Sequence, residues 1–236
     1  MSDSSKLPSS PRDGDVQAFL RKLAATPKVK PAGRKGRLIF ALDATASREP
    51  TWNEARRIQA DMFDAAAAVG GLEIQLCYFR GQMDFVAAPW LTRAEDLRRR
   101  MAGVECLGGL TQIGQVLEHA LREARLGQVD ALVLVGDCME EHVDTLCQLA
   151  GELGLLGVKA FLFQEGHDPA AEIAFRQMAK LTQGAHCRFD AGSAKQLREL
   201  LSAVAVYAAG GIKALESYGR ERGGVALQLT HQMKKP

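Results

Sequence analysis

Short, unbroken apolar runs alternate with amphipathic stretches along most of the chain. Leu38–Leu42 and Ala131–Val135 are apolar at every position, which is typical of strands buried on both faces of a parallel sheet. The stretch after the first run carries Ile58, Met62 and Phe63 at helical spacing. Extended to the whole chain, the pattern predicts six strands, at Leu38–Leu42, Glu73–Phe79, Met83–Ala87, Ala131–Val135, Val158–Phe163 and Ala185–Arg188. It predicts helices at Asn53–Val69, Ala94–Met101, Ile113–Arg125, Glu141–Leu153, Pro169–Leu181 and Ala194–Ala208.

This alternation of strands and helices predicts an α/β fold with a doubly wound, mainly parallel six-stranded sheet and helices on both faces. The second and third strands are separated only by a turn at Gly81-Gln82. They are therefore expected to form a hairpin, which adds one antiparallel edge strand to the sheet.

The two ends of the chain differ from the alternating part. Residues 1–36 are expected to be an extension with a disordered start rich in Ser, Pro, Asp and Lys, a short amphipathic helix at Val16–Ala25 and a basic linker. Residues 37–210 form the predicted domain. Residues 211–236 are a C-terminal extension of short apolar pieces broken by glycines, for which a docked helix, a docked strand and a flexible contact segment all remain open.

Composition narrows the range of functions. The chain has 236 residues, a length that predicts one domain with extensions. Its net charge is only +2, so a nucleic-acid partner is not expected. The five cysteines are odd in number and lack C-x-x-C spacing, which argues against a disulfide framework and a zinc ribbon. The N-terminus lacks the pattern of a secretory signal, and no apolar run reaches the roughly 18 residues of a membrane span. We therefore expect a cytoplasmic protein that has no membrane partner.

The first candidate site residues directly follow the first apolar run. Asp43, Thr45 and Ser47 follow that run at alternate positions and are separated by two alanines. In extended backbone, residues two apart point to the same side. The sequence therefore predicts that these three oxygen-bearing side chains converge at the carboxyl end of the first strand.

Two further residues are expected to join them. Asp137 follows the fourth strand, and Thr111 precedes a helix in a loop that contains Gly108-Gly109 and can approach other backbone closely. Open α/β sheets bind ligands beyond the carboxyl ends of their strands, where the strand order reverses. We therefore expect Thr111 and Asp137 to complete one site with Asp43, Thr45 and Ser47.

Two carboxylates and three hydroxyls form a hard, all-oxygen donor set. Such a set suits Mg²⁺, and also Mn²⁺ or Ca²⁺, better than zinc or copper. Any one of these residues alone is more often a helix N-cap, but five of them in this order at strand ends favour a metal site. Hydroxyl-rich coordination leaves the metal short of negative charge, so we expect an Asp or Glu side chain of a protein partner to supply the last ligand.

These residues resemble the metal-ion-dependent adhesion site, D-x-S-x-S…T…D, of the von Willebrand factor type A (VWA) family, over about Arg37–Ala208. The resemblance implies a Rossmann-like VWA fold. It also implies that Thr45, Ser47 and Thr111 ligate the metal directly, whereas Asp43 and Asp137 act mainly through water. Thr45 stands where the family most often has Ser.

The resemblance implies a function as well: a non-enzymatic, metal-dependent interaction module that serves as a cytoplasmic adaptor or assembly factor beside an ATPase or chaperone machine. Three residues near the motif, Glu49, Trp52 and Glu140, are candidates for the rim that a partner would contact.

An enzymatic alternative is a Mg²⁺-dependent phosphatase of the haloacid dehalogenase type, in which Asp43 would be the nucleophile. The segment from Gly136 to Glu140 loosely matches that family's late acidic motif. However, Thr45 stands where those phosphatases need a second Asp. They also need a lysine before the late acidic motif, and no lysine lies between Arg37 and Asp137. A dinucleotide enzyme fits less well, because no G-x-G-x-x-G follows the first strand.

Overall fold

Six strands and seven helices alternate along residues 34–190 and 193–234, the part of the chain that the computed structural model describes. The strands are β1 (Gly36–Asp43), β2 (Leu72–Arg80), β3 (Asp84–Leu91), β4 (Ala131–Gly136), β5 (Lys159–Glu165) and β6 (Ala185–Phe189). The helices are α1 (Glu49–Ala67), α2 (Ala94–Ala102), α3 (Ile113–Leu126), α4 (Val143–Leu155), α5 (Pro169–Leu181), α6 (Ala194–Arg222) and α7 (Gly224–Lys234). The helix expected at Val16–Ala25 lies outside the described residues.

The strands form one sheet in the order β3-β2-β1-β4-β5-β6. All neighbours are parallel except β2 and β3, which form the expected antiparallel hairpin at one edge. The chain runs outward from β1 to β3 and then returns to place β4 on the other side of β1, so the strand order reverses between β1 and β4. The doubly wound α/β fold with one antiparallel edge strand is therefore confirmed.

Apolar layers cover both faces of the sheet. In β1, Leu38 and Phe40 point into a layer with α1, α2, α6 and α7, whereas Ile39 and Ala41 point into a layer with α3, α4 and α5. A central strand between two helical layers has no solvent-facing side. This arrangement explains why the central runs are apolar at every position.

The third strand is longer than predicted. It continues past the predicted end at Ala87 to Leu91 and includes Pro89 and Trp90. An edge strand tolerates proline because one side of the strand has no strand partner. Trp90 is held there by the Arg37 guanidinium, 3.8 Å from its ring centroid, and by a 2.8 Å hydrogen bond from its Nε1 to Glu123.

The C-terminal segment docks as helices, which settles the alternatives that the sequence left open. α6 continues far beyond Ala208, bending at Gly211, where φ is 72° and the backbone is not helical. Beyond this bend, Leu215 and Leu229 are fully buried in the layer with α1. Among the described helices, α6 is the one long and apolar enough to cross a membrane by length and composition, and 56% of its most apolar stretch is buried within the protein.

His186 in β6 gives the fold a pH dependence. It is buried, its Nε2 lies 3.2 Å from Gln164 Oε1, and its backbone exchanges two hydrogen bonds with the Gln232 side chain. Burial, reinforced by the charge of Arg176, lowers its pKa from 6.5 to about 4. The folded protein therefore binds fewer protons at this site than the unfolded chain does, so stability is present above pH 6.5 and is lost as the pH falls toward 4.

We therefore expect His186 to lower the free energy of unfolding by roughly 1–2 kcal/mol between pH 7.5 and pH 5. Urea denaturation of the wild type and of His186→Gln at both pH values measures this contribution. The variant should lose less stability than the wild type over this interval, and an equal loss in both proteins would refute the assignment.

Candidate metal centre

The candidate site lies where the strand order reverses. Asp43 is the last residue of β1, and Asp137 directly follows Gly136, the last residue of β4. These two strands are parallel neighbours, with Leu42 paired to Val135. Both carboxylates therefore stand at the carboxyl ends of adjacent central strands, in the position where open α/β sheets hold their ligands.

Thr45 and Ser47 reach this edge by a route that differs from the one expected. The backbone is extended only as far as Thr45, whose N–H donates a 2.7 Å hydrogen bond to Asp43 Oδ1. Ala46–Arg48 then form a 3-10 turn. The turn brings Ser47 Oγ to 3.4 Å from Thr45 Oγ1, and Ser47 Oγ donates to Asp137 Oδ2 at 3.2 Å. The structure therefore brings these four side chains together through a turn and not through a continuous strand.

Thr111 is tied to the site through the loop that follows β4. It is buried, its Oγ1 accepts a 3.1 Å hydrogen bond from the Glu140 N–H, and its own N–H donates to Glu140 Oε2 at 3.0 Å. The next residue in that loop, Glu141, accepts hydrogen bonds from the N–H groups of Ile113 and Gly114 at the start of α3. The loop that bears Thr111 is thus fixed to the loop that bears Asp137.

Helix capping does not account for the hydroxyls at the site. Thr45 occupies the N-cap position of the 3-10 turn but makes no side-chain capping hydrogen bond. The N-cap of α3 is Gln112 and not Thr111, and the N-cap of α4 is His142. A hydroxyl oxygen has two lone pairs, so Thr111 Oγ1 retains one for a ligand after it accepts the Glu140 N–H.

The oxygen atoms present fit a divalent cation. Among the described residues, neither Asp43 Oδ2 nor Asp137 Oδ1 has a hydrogen-bond partner, and both atoms are buried, although buried polar atoms in proteins are nearly always paired. The Thr45 and Ser47 hydroxyl oxygens lie 3.4 Å apart, close to the roughly 3 Å between adjacent ligands of octahedral Mg²⁺, and Ser47 Oγ lies 3.2 Å from Asp137 Oδ2. The described residues contain no cluster of three or more His, Cys, Asp or Glu side chains suited to a metal. A metal held at this site would therefore need hydroxyl oxygens among its ligands.

The electrostatics of the site favour a hard cation. Burial raises the pKa of Asp43, the hydrogen bonds from Thr45 partly offset this effect, and the charge of Asp137 adds to it. A bound cation would relieve the cost of holding both carboxylates ionised. Burial and the neighbouring Asp137 also raise the pKa of Cys138 to about 12. At neutral pH, and without a bound metal, this thiol is therefore protonated.

A buried charged group beside the site was not predicted from the sequence. Arg48 Nη1 lies 3.7 Å from Asp137 Oδ2, and Arg48 Nη2 forms an ion pair with Glu165 Oε2, which also accepts a hydrogen bond from Thr51 Oγ1. Glu165 is the last residue of β5, the neighbour of β4. The rule that drew attention to Asp43 and Asp137, a carboxylate at the carboxyl end of a buried strand, also applied to Glu165.

The three candidate rim residues differ in exposure. Glu49 and Glu140 are exposed. Trp52 is only 2% exposed; its ring packs edge-on against Tyr78, and its Nε1 donates to the Met101 carbonyl oxygen. Trp52 is therefore buried in the core, although it also lines a groove beside Glu49.

A groove lies beside Glu49, between the start of α1 and the loop that follows α2; we call it the α1 groove. Its volume is about 410 Å³, and its walls include Glu49, Arg56, Glu105 and Leu107. The Leu107 N–H donates to the Ala44 carbonyl oxygen at 3.0 Å, so the groove wall joins the end of β1 directly. Leu110, at 56% exposure, lies farther along the same loop.

Gly109 allows this loop to reach the site. A Cβ atom at position 109 would lie 1.8 Å from the Gly81 carbonyl oxygen, and the neighbouring Leu110 N–H donates to that same oxygen at 3.1 Å. The obstructing atoms all belong to the Gly81 backbone, so no side-chain rotation removes the clash. We expect Gly109→Ala to displace the loop that carries Thr111 and to weaken Mn²⁺ binding by about tenfold, an effect typical of losing one supporting contact.

Isothermal titration calorimetry of Mn²⁺ binding tests this expectation. Gly108→Ala is a matched control, because a Cβ at position 108 meets no atom within 4 Å. If the two variants bound Mn²⁺ equally well, Gly109 would have no role in positioning Thr111.

No protein-family model matches the sequence, and no curated protein matches it. Solved structures do. A von Willebrand factor type A protein from Catenulispora acidiphila superposes with a TM-score of 0.60 at 14% identity, covering 75% of this chain and 43% of its own. The SpRpn10 VWA domain superposes with a TM-score of 0.54 at 12% identity, and the match covers 72% of this chain and 95% of that domain. An aerotolerance-related membrane protein from Bacteroides fragilis NCTC 9343 superposes with a TM-score of 0.53 at 15% identity, and the match covers 70% of this chain and 96% of that protein.

These similarities concern the fold. The chain spans less than half the length of the Catenulispora protein but nearly the whole SpRpn10 domain. At identities of 12–15%, the similarities show a shared fold and nothing finer. The resemblance seen in the sequence is thus confirmed at the level of architecture: this chain has a von Willebrand factor type A-like fold.

Proposed function

We propose that the protein is a metal-dependent protein-interaction module, in which a partner's Asp or Glu side chain completes a Mg²⁺ site formed by Asp43, Thr45, Ser47, Thr111 and Asp137. One observation carries the proposal: two buried carboxylate oxygens that have no hydrogen-bond partner within the described part of the chain stand beside two adjacent hydroxyls, where the strand order of the sheet reverses. Mn²⁺ or Ca²⁺ suits the same donors.

The surroundings of the site support capture of another protein. Ser47 and Glu49 are exposed at the mouth, and the α1 groove opens beside them. Leu107 and Leu110 add exposed apolar surface from the loop that carries Thr111. A partner loop that brings a carboxylate to the metal would therefore find apolar contacts and a groove next to it, and such contacts supply affinity in protein interfaces.

The arrangement supports the phosphatase alternative less well. Thr45 provides a hydroxyl where that chemistry needs a carboxylic acid. The first lysine after Asp137 is Lys159, the first residue of β5. It therefore lies at the amino end of the parallel strands, away from Asp43 at their carboxyl end, and its Nζ donates to Gln183 Oε1 at 2.8 Å. We accordingly propose a binding role without catalysis, as a cytoplasmic adaptor or assembly factor beside an ATPase or chaperone machine.

Affinity capture from the native cytoplasm tests the proposal. Immobilised wild-type protein should retain a defined set of partners in Mg²⁺ and release them in excess chelator, whereas Asp43→Ala should retain none of them in either condition. Asp144→Ala is the control, because Asp144 is exposed on α4. Capture that persists in chelator, or that survives Asp43→Ala, would rule out the proposed role.

A further inference from the structure

Arg48 is a buried cation directly beside the candidate metal centre. Its side chain is 4% exposed and lies between two carboxylates, with Nη1 3.7 Å from Asp137 Oδ2 and Nη2 paired with Glu165 Oε2. Its Nε is buried and has no hydrogen-bond partner in residues 34–190 and 193–234. Arg48 belongs to the same 3-10 turn as Ser47, so its backbone position is fixed together with that of a candidate metal ligand.

This geometry makes the guanidinium a competitor for Asp137. A metal ion bound through Asp137 would share that carboxylate with a guanidinium whose Nη1 lies 3.7 Å from Asp137 Oδ2. Two positive charges that share one carboxylate repel each other, and the repulsion is stronger where water is excluded. Glu165, which also accepts a hydrogen bond from Thr51, anchors the other end of the guanidinium. Asp43 and Asp137 offer two negative charges, and Arg48 draws on that of Asp137, so a divalent ion bound by these two carboxylates is left short of negative charge.

We infer that Arg48, anchored by Glu165, sets the metal affinity of the site: its charge keeps the affinity low until a partner carboxylate adds the missing negative charge. The inference rests on the proposed metal site and adds a residue to it that ligates nothing itself. It explains why a site open to solvent at Ser47 carries a buried cation next to one of its two carboxylates. Metal and partner would then bind together, each strengthening the other.

Two variants should shift Mn²⁺ affinity in opposite directions. Arg48→Gln/Glu165→Gln removes both charges of the pair and leaves Asp137 wholly available, so the dissociation constant should fall by about tenfold. Glu165→Gln alone removes the anchor and leaves the guanidinium to Asp137, so the dissociation constant should rise by about tenfold. Calorimetry with Mn²⁺ alone, on the full-length protein, measures both values.

A purely structural role for the pair would not produce opposite shifts. The control is Asp61→Asn/Arg198→Gln, which neutralises a partly exposed ion pair with a 2.7 Å contact between α1 and α6 and should leave Mn²⁺ affinity unchanged. Thermal unfolding in chelator shows whether each variant is folded before its affinity is compared with that of the wild type.

The outcomes separate this inference from the proposed function. If the wild type binds Mn²⁺ but the double variant binds it no more tightly, the role of Arg48 is overturned and the metal site stands. If the wild type itself fails to bind Mn²⁺, both are overturned. If the double variant does not fold, Glu165→Gln decides alone, and an unchanged or lower dissociation constant overturns the inference.

Discussion

Asp43→Asn is expected to lower the affinity for Mn²⁺ by about 100-fold, at the upper end of what losing one orienting carboxylate costs a metal site. Asn keeps an oxygen to accept the Thr45 N–H hydrogen bond at the Oδ1 position. It replaces Oδ2, the buried oxygen for which the described residues provide no partner, with an NH₂ group that donates hydrogen bonds and cannot hold a hydrated cation. The local turn should therefore persist while the metal is lost.

The same substitution should not destabilise the protein in chelator. Burial disfavours the ionised form of Asp43, as the direction of its pKa shift shows, so a neutral side chain of the same shape removes a cost. We expect the melting temperature in chelator to be equal to or above that of the wild type. Asp144→Asn on α4 serves as the control for both measurements, and full Mn²⁺ affinity in Asp43→Asn would remove Asp43 from the site.

Arg48→Met is expected to lower the free energy of unfolding by about 3–5 kcal/mol, the usual cost of leaving one charge of a buried pair without its partner. Glu165 is 7% exposed, and its remaining hydrogen bond comes from Thr51. Replacing both residues, in Arg48→Met/Glu165→Met, should restore most of this stability, because apolar side chains of similar size often replace buried pairs without loss.

Urea denaturation in chelator measures this cycle without any contribution from bound metal. Arg198→Met is the comparison variant: its partner Asp61 is partly exposed, and we expect a loss below about 1 kcal/mol because exposed pairs contribute little. A small loss for Arg48→Met, or a double variant as unstable as the single one, would show that Arg48 and Glu165 do not stabilise the fold as a pair.

The sheet could be predicted from the sequence because its central strands are buried on both faces. Runs such as Leu38–Leu42 and Ala131–Val135 leave no polar side and therefore indicate their position directly. The predicted end of β3 was wrong because a proline such as Pro89 usually ends a strand, whereas an edge strand tolerates it. The end of α6 was missed because Gly210-Gly211 bends the helix without ending it.

For the candidate site, the strand-end rule identified Asp43 and Asp137, which lie on neighbouring strands. It did not reveal how Thr45 and Ser47 converge, because a 3-10 turn replaces the extended backbone after Thr45. Arg48 and Glu165 stand 117 positions apart, and only the packing of β5 beside β4 brings them together. Local patterns carry no signal for such a contact.

The most direct test of the account is the position of a bound metal. Crystals of the wild-type protein soaked in Mn²⁺ and measured for anomalous scattering should show one strong peak within about 2.0–2.6 Å of the Thr45, Ser47 and Thr111 hydroxyl oxygens, with Asp43 and Asp137 linked to it mainly through water. The absence of a peak at the ends of β1 and β4, or a peak bound elsewhere on the protein, would contradict the proposed metal centre.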